Sequence, residues 1–586
     1  MSKQTKAKAA KAKTVATAKK RSMTEYIVVN IICLLVFLAF GYIGVMSFFQ
    51  TSVLDPTKYV SEHILYQLDI IPLNLLFTAL FVIFLFAMRR FYDFFAKVDL
   101  RLMEIGLGVF VVLLGLIWVI NAQSLPAADS YNIYEAAKNA AQGVYTSMYN
   151  DTQFYNSAFY NSFSYFHFYP FQLGFVAFSE LIYRIFGTES TMPIQILNVL
   201  CVGAAYFALA RISKLLFKKK SVEFITILLL AVCFQPILFC TFVYGNIIGM
   251  CCAVWASLFL IKYFQTGKYF WMIPGGALLV LATLVKYNNM IYLAAFVIML
   301  IVHIVKEKKW QSAVIAAALI AAVLGSNSLV IAHYENRAET TFCGGVSQVL
   351  YLDMGLQESY MAPGWYTTIA KDHYINDYLA PLFRGNLDIS DDAANEKAWE
   401  EIDARMDKFG SDFDYTFDFF SKKILSQWNE PTFESIWVSK VKAHTATEEQ
   451  QKKLGSASVG SDQMEGLVKS VYDKSTGQAL ELHFNFYMQI LYVMFAAGIY
   501  LLFINKKSNI ETVLLPLVLL GGFGYHLLFE GKSQYVLTYI PLLVPTAAYA
   551  FSVILGGKYE KLKKLVAKIN FIPDRFNENE ETDAKA

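Results

Sequence analysis

Apolar residues in this chain arrive in long, nearly charge-free runs, near residues 26–49, 70–88, 102–121, 193–216, 221–242, 246–264, 270–286, 288–305, 311–332, 484–504, 511–529 and 535–555. At 1.5 Å of rise per residue, about 20 such residues cross the roughly 30 Å hydrocarbon core of a bilayer. A helix buried in a soluble protein alternates apolar and polar faces instead. The pattern predicts an all-α polytopic membrane protein with about 12 transmembrane helices. One further stretch is ambiguous: YPFQLGFVAFSELIYRIFG, residues 169–187, is apolar but carries Glu180 and Arg184 and is interrupted by Pro170 and Gly174.

Charge placement decides that stretch. The first 24 residues hold seven lysines and Arg21 with no acid, in an Ala/Lys/Thr-rich run that cannot pack a core, and they predict a disordered cytoplasmic tail. With the N-terminus inside, and with residues 169–187 not crossing, Arg89, Arg90, Lys97 and Arg101 fall inside. So do Lys218 to Lys220, Lys262 with Lys268, Lys306 with Lys308 and Lys309, Lys506 with Lys507, and the stretch from Lys558 to Lys568. Every basic cluster then obeys the positive-inside rule. Were residues 169–187 to cross, the clusters between 218 and 309 would all face outward. The stretch is therefore expected to be a juxtamembrane or re-entrant helix on the outer face.

This topology divides the chain into a cytoplasmic tail (1–24), two N-terminal membrane helices (25–101), a transmembrane core (102–332) with a first outer loop at 122–192, an extracytoplasmic loop domain (333–483), C-terminal membrane helices (484–556) and a cytoplasmic tail, basic then acidic (557–586). The large loop carries EKAWEEIDARMDKF and FDFFSKKILSQW, whose periodicity predicts helices. Composition agrees with an integral membrane protein, with 56% of residues apolar and 17% charged; the basic clusters place both termini in the cytoplasm, and the plasma membrane is the expected location. The net charge of +3, carried largely by such tails, excludes a nucleic-acid partner. Six of the seven cysteines lie in or beside apolar runs and form no disulfide framework.

Polar chemistry gathers at the outer boundary. Glu104, Glu223, Lys262, Lys286 and Glu511 sit at span ends, not at the midplane where an ion-coupled transporter holds its ionisable groups. The eight histidines show no zinc-ligand spacing, and neither a nucleophile elbow nor a phosphate loop is present. Asp129, in PAADSYNIYEAAKNAAQG, follows a membrane exit and opens a helical pattern; it suits a helix N-cap, a general base, or both. Lys286 in LVKYNN and Lys532 in FEGKSQY are outer-end cations that snorkel or meet a phosphate. Asn246 in the YGN turn, Glu530 with Tyr535 in the last outer turn, and Tyr169 at the end of an aromatic-rich segment complete the candidates.

In order along the chain, these features resemble the C-type superfamily of membrane glycosyltransferases, which includes protein O-mannosyltransferases and lipid-A aminosugar transferases. PAADSYNIYEAAKNAAQG is similar to the family's first outer loop, and Asp129 takes the position of its catalytic carboxylate. YFHFYPFQLGFVAFSELIYRIFG is similar to its Pro-containing juxtamembrane helix, GGALLVLATLVKYNN to its Gly-rich span ending in a basic residue, and FEGKSQYVLTYIPLL to its late acidic, basic and tyrosine motif. MGLQESYMAPGWY and KKILSQWNEPTFESIW resemble the outer loop of such enzymes in Gram-positive bacteria. The resemblance covers roughly residues 102–555, leaving two extra N-terminal spans.

It implies transfer of a sugar from a polyprenyl-phosphate donor to an extracytoplasmic glycan, lipid or protein acceptor, with Asp129 catalytic. Lys286, Lys532, Asn246, Glu530, Tyr535 and Tyr169 would bind the donor's phosphate and sugar. The second acidic position often found beside the catalytic Asp is Ser130 here, and the turn that is acidic in several members reads YGN. No cofactor is therefore assigned and a divalent metal stays open. A flippase or transporter of lipid-linked saccharides is the alternative that also needs a lipid groove.

Overall fold

The computed structural model describes residues 22–556 apart from 56–61, 91–96, 123, 125, 127–128, 146–164, 340, 343, 380–391, 440–461 and 474. The terminal tails, Cys343 and most of the aromatic segment between Tyr145 and Tyr169 lie outside the described residues. The order of elements is α1 (Met23–Met46), β1 (Gln50–Leu54), β2 (Ile64–Leu68), α2 (Ile71–Arg90), α3 (Leu100–Ala122), α4 (Asp129–Ala141), α5 (Leu173–Phe186), α6 (Met192–Phe217), α7 (Lys220–Ala231), α8 (Asn246–Thr266), α9 (Met272–Val285), α10 (Met290–Glu307) and α11 (Gln311–Ala338). There follow α12 (Gln348–Gly355), α13 (Asp392–Ser411), α14 (Phe413–Trp428), α15 (Asp462–Asp473), α16 (Ser475–Ile504), α17 (Leu514–Leu528) and α18 (Ile540–Gly556).

Each apolar run read from the sequence falls on a helix. Among the described residues, 9 helices are long and apolar enough to cross a membrane, or up to 10 if Lys220–Ala231 and Gln235–Thr241, bent by 42°, form one broken span. Two shorter apolar helices, Tyr269–Val285 and Leu514–Leu528, account for the remaining runs. α5 is not a candidate span. Its 14 residues would reach only about 21 Å, and they pack on α4, where Arg184 pairs with Glu180 at 2.6 Å and donates to the Ala140 carbonyl at 3.0 Å. Tyr334 of α11 donates to the other Glu180 oxygen at 2.6 Å, so the charges that made this segment ambiguous are used in holding it down.

The expectation of an all-helical chain is corrected by one hairpin. β1 and β2 pair antiparallel with Gln50 opposite Leu68, Ser52 opposite Tyr66 and Leu54 opposite Ile64. β-branched Thr51, Val53 and Ile64 favour the extended form, and the exposed edges are covered: Ser52 N–H donates to Asn429 O and Ile64 N–H to Met361 O, both at 3.0 Å. Ile64 packs with buried Met361, Ala362 and Trp365, all from the region between α11 and α16. That region also contains α13 and α14, on which the two helical patterns of the large loop fall. The main core spans the bundle, with α8 and α18 the most enclosed of the candidate spans. Acids at span ends are paired: Arg211 with Glu104 at 2.8 Å, Lys214 with Glu223 at 3.1 Å and Lys306 with Glu25 at 3.0 Å.

Candidate active site

Close backbone contacts bring distant stretches to one place. Lys286 interrupts the helical ladder in an extended conformation (φ −151°, ψ 107°) between α9 and the short turn Tyr287–Asn289. The Ala282 carbonyl accepts both the Lys286 N–H at 3.1 Å and Asn289 Nδ2 at 2.9 Å, which ties the turn back to the end of α9. A side chain on Gly245 would collide with the Val285 carbonyl, and one on Gly174 with the Leu284 carbonyl. The YGN turn and the start of α5 are thus seated against the backbone that presents Lys286.

The Lys286 ammonium rests over the Tyr244 ring at 4.3 Å and the Tyr535 ring at 5.4 Å from their centroids. Burial pushes it down to about 8, against the pull of the Asp129 and Glu530 carboxylates. Asp129 stands exposed in the first turn of α4, and its charge reaches Lys286, Glu530, Tyr165, Tyr244 and Tyr535. Glu530 accepts from Tyr535 Oη at 3.2 Å. Burial raises the Glu530 carboxyl, and Asp129 and Glu62 add to this, while Lys532 and Tyr535 oppose it.

Lys532 is ion-paired with Glu62. Burial works against its charge, but the carboxylates of Glu62, Glu434 and Glu530 outweigh burial and hold the ammonium above its ordinary value. Glu434 is fully buried, and its Oε1 accepts from Ser533 Oγ at 2.9 Å and Gln534 N–H at 3.3 Å. It and Phe433 take left-handed backbone conformations, φ 59° and 48°, an uncommon pairing for non-glycine residues. Burial, reinforced by Glu62 and opposed by Lys532, pushes Glu434 up to about 8. Lys423 of α14 donates to the Gly355 and Phe529 carbonyls, and burial pushes it down to about 7 against the pull of Glu530.

Lys286, Glu530, Lys532 and Tyr535, all singled out in the sequence, therefore lie together, with Asp129 within electrostatic reach of them. Asn246 is buried beside them, with Nδ2 3.5 Å from the Gln534 carbonyl and Oδ1 without a partner among the described residues. Tyr169 lies at the rim, its ring 4.9 Å from that of Tyr165. Sequence reasoning missed Glu62, Lys423 and Glu434. The one available signal was the pair of acids in NEPTFESIW, set between Trp428 and Trp437.

The donor set suits a divalent metal poorly, because the ammonium groups of Lys286 and Lys532 share the site with the carboxylates and offset their charge. Elsewhere Asp353, His373 and Glu401 could approach a metal within 4.8 Å of one another, but Arg405, Gln357 and Asp377 already engage them.

Residues 173–326 match the sequence model of the family described as dolichyl-phosphate-mannose-protein mannosyltransferase. That stretch contains Asn246 and Lys286 but neither Asp129 nor the turn of Glu530 and Lys532. No curated protein matches the chain. Among solved structures, it is similar to the archaeal oligosaccharyltransferase AglB from Archaeoglobus fulgidus in complex with an inhibitory peptide and a dolichol-phosphate, at 15% identity and a TM-score of 0.39 over 82% of this chain and 53% of that one. A second Archaeoglobus fulgidus oligosaccharyltransferase structure, tethered to an acceptor peptide, matches at 12% identity and a TM-score of 0.37 over 79% of this chain and 50% of that one. The chain spans about half the length of either. Its resemblance to the C-type membrane glycosyltransferases is thus matched, over residues 173–326, by the dolichyl-phosphate-mannose-protein mannosyltransferase family.

Proposed function

We propose that this chain is a multi-pass plasma-membrane glycosyltransferase that moves a sugar from a polyprenyl-phosphate donor to an extracytoplasmic glycan, lipid or protein. The observation that carries the reading is the convergence of Asp129, Lys286 and Glu530, from three distant parts of the chain, around an ammonium cushioned on Tyr244 and Tyr535. In this reading about 12 helices cross the bilayer, the termini lie in the cytoplasm, and residues 122–192 and 333–483 face outward.

The donor enters from the lipid with its phosphate against Lys286, and Asn246, Glu530 and Tyr535 orient the phosphate and sugar. An acceptor hydroxyl oxygen forms a bond to the anomeric carbon while the bond from that carbon to the phosphate oxygen breaks. The bonding pair leaves with the phosphate, whose growing charge Lys286 stabilises. Asp129 takes the hydroxyl proton as the new bond forms, since a carboxylate of ordinary pKa near 3.9 cannot ionise an alcohol beforehand. Tyr169 offers an aromatic face to the sugar. Lys532, held by Glu62, acts on Glu530 rather than as a free phosphate ligand.

Asp129→Asn tests this directly. It keeps the shape of the side chain and removes the base, so transfer from a polyprenyl-phosphate sugar should fall by about 10²- to 10⁴-fold at unchanged expression. Retained transfer would sink the assignment of Asp129. Movement of the lipid donor across the bilayer without transfer would favour a flippase.

A further inference from the structure

The hairpin between α1 and α2 lies outside the stretch that resembles other glycosyltransferases, yet it reaches the candidate site. We infer that Glu62 is a positioning residue of that site: it holds the Lys532 ammonium, and this makes the N-terminal hairpin a working part of the site. The inference rests on the glycosyltransferase reading for its consequence in catalysis.

The contact is enclosed, with the Lys532 and Glu62 side chains 12% and 11% exposed. The hairpin is fixed on both strands, by Ser52 N–H on Asn429 O and Ile64 N–H on Met361 O, and Tyr66 Oη donates to Lys422 O at 3.1 Å. Glu62 stands two residues before β2, next to His63, whose carbonyl accepts from Asp55 N–H at 2.8 Å and extends the hairpin to that point. Three carboxylates face Lys532: Glu62 from the hairpin, Glu434 from the turn after α14, and Glu530 from its own turn.

A buried ammonium that loses its partner takes the next one available, because an unpaired buried charge is costly. With Glu62 gone, Lys532 turns to Glu434 or Glu530. Both candidates have room for it: Glu434 accepts from Ser533 and Gln534 through Oε1 while its Oε2 has no hydrogen-bond partner among the described residues, and among those residues Glu530 accepts from Tyr535 alone. Capture of Glu530 would draw it from Tyr535, whose ring helps seat Lys286. By taking the Lys532 charge, Glu62 leaves Glu530 aligned toward Tyr535, Lys286 and Asp129.

The test uses the full-length chain in membranes, with Glu62→Gln, Glu62→Asp and, as a control for the hairpin alone, Tyr66→Phe. Acylation by acetic anhydride, read by mass spectrometry at Lys532, should be about tenfold faster in Glu62→Gln, because only the uncharged amine reacts and the partner that keeps it charged is gone. In transfer assays, kcat should fall about tenfold or more and the donor KM should rise, since Glu530 and Tyr535 orient the donor and the Tyr535 ring helps seat Lys286. Glu62→Asp, one methylene shorter, should give values between those of Glu62→Gln and wild type, and Tyr66→Phe should match wild type in both assays. Lys532 acylation or kcat within about twofold of wild type in Glu62→Gln overturns the inference. If Glu62→Gln does not accumulate, Glu62→Asp decides: intermediate acylation and kcat support it, wild-type values overturn it. A wild-type chain that transfers no sugar refutes the glycosyltransferase reading instead, and the acylation result still decides whether Glu62 holds Lys532.

Discussion

Lys286 trades hydration for two aromatic faces, an attraction worth about 2 kcal/mol when desolvated, and burial leaves its proton loosely held at about 8. The charged form, which a phosphate needs, predominates below that value and disappears as pH rises through it. Donor affinity should therefore weaken above about pH 8, read as a rise in donor KM. Lys286→Arg, whose guanidinium stays charged, should flatten that limb, though a different fit on the two rings will lower the overall rate. Glu434 titrates in the opposite sense: its carboxyl is raised from 4.5 to about 8 in the folded chain. A carboxyl raised on folding stabilises fully below its unfolded pKa and loses that contribution as pH climbs to the folded one. Glu434→Gln should melt closer to wild type at pH 5 than at pH 8, where it should be the more stable of the two. Asp129, Lys286, Glu530 and Lys532 were legible because a charge beside an apolar run has no ordinary reason to be there. Glu62, Lys423 and Glu434 were not, because charge is unremarkable in a polar stretch and their partners lie far along the chain.

The elements that build the site are joined by backbone contacts that leave no room for a Cβ. Gly245 meets Val285 and Gly174 meets Leu284, so the turn before α8 and the start of α5 both bear on the two residues that precede Lys286. Gly245→Ala should cost about 1–3 kcal/mol of stability through overpacking. It should also raise the donor KM, by moving the backbone that carries the ammonium, and a melting curve paired with steady-state kinetics separates the two effects. Gly249→Ala, which would crowd Asn289 and the Lys286 Cβ from the next turn of α8, should act in the same direction. Membrane helices were readable at this scale because their apolar length is set by the bilayer and not by neighbours. α5 was readable as a helix distinct from the spans because Glu180 and Arg184 break its apolar run, and it has 14 residues. The hairpin was not: each strand is 5 residues long, and what stabilises it is an edge-to-loop pairing with residues hundreds of positions away.

At the scale of the molecule, the two N-terminal helices frame a connector that is stitched to the region between α11 and α16, and this region in turn is clamped to the turn between α17 and α18 by Lys423. The proposed orientation places Lys219 inside and Ser411 outside, both exposed on the structure. Single cysteines at these positions should be labelled by a membrane-impermeant maleimide only after permeabilisation and in intact cells, respectively. The six described native cysteines are buried or partly buried, and Cys343, which lies outside the described residues, is first replaced by serine. The Glu62 and Lys532 pair has a consequence for how the chain is made. The two residues are 470 positions apart, which at about 5–20 residues per second is roughly 25–95 seconds of synthesis. Throughout that interval the carboxylate waits without its ammonium, and a nascent chain released before its last two helices emerge would never supply one. Surveillance of unfinished membrane proteins would find in that unmatched hairpin a mark that the completed chain does not carry.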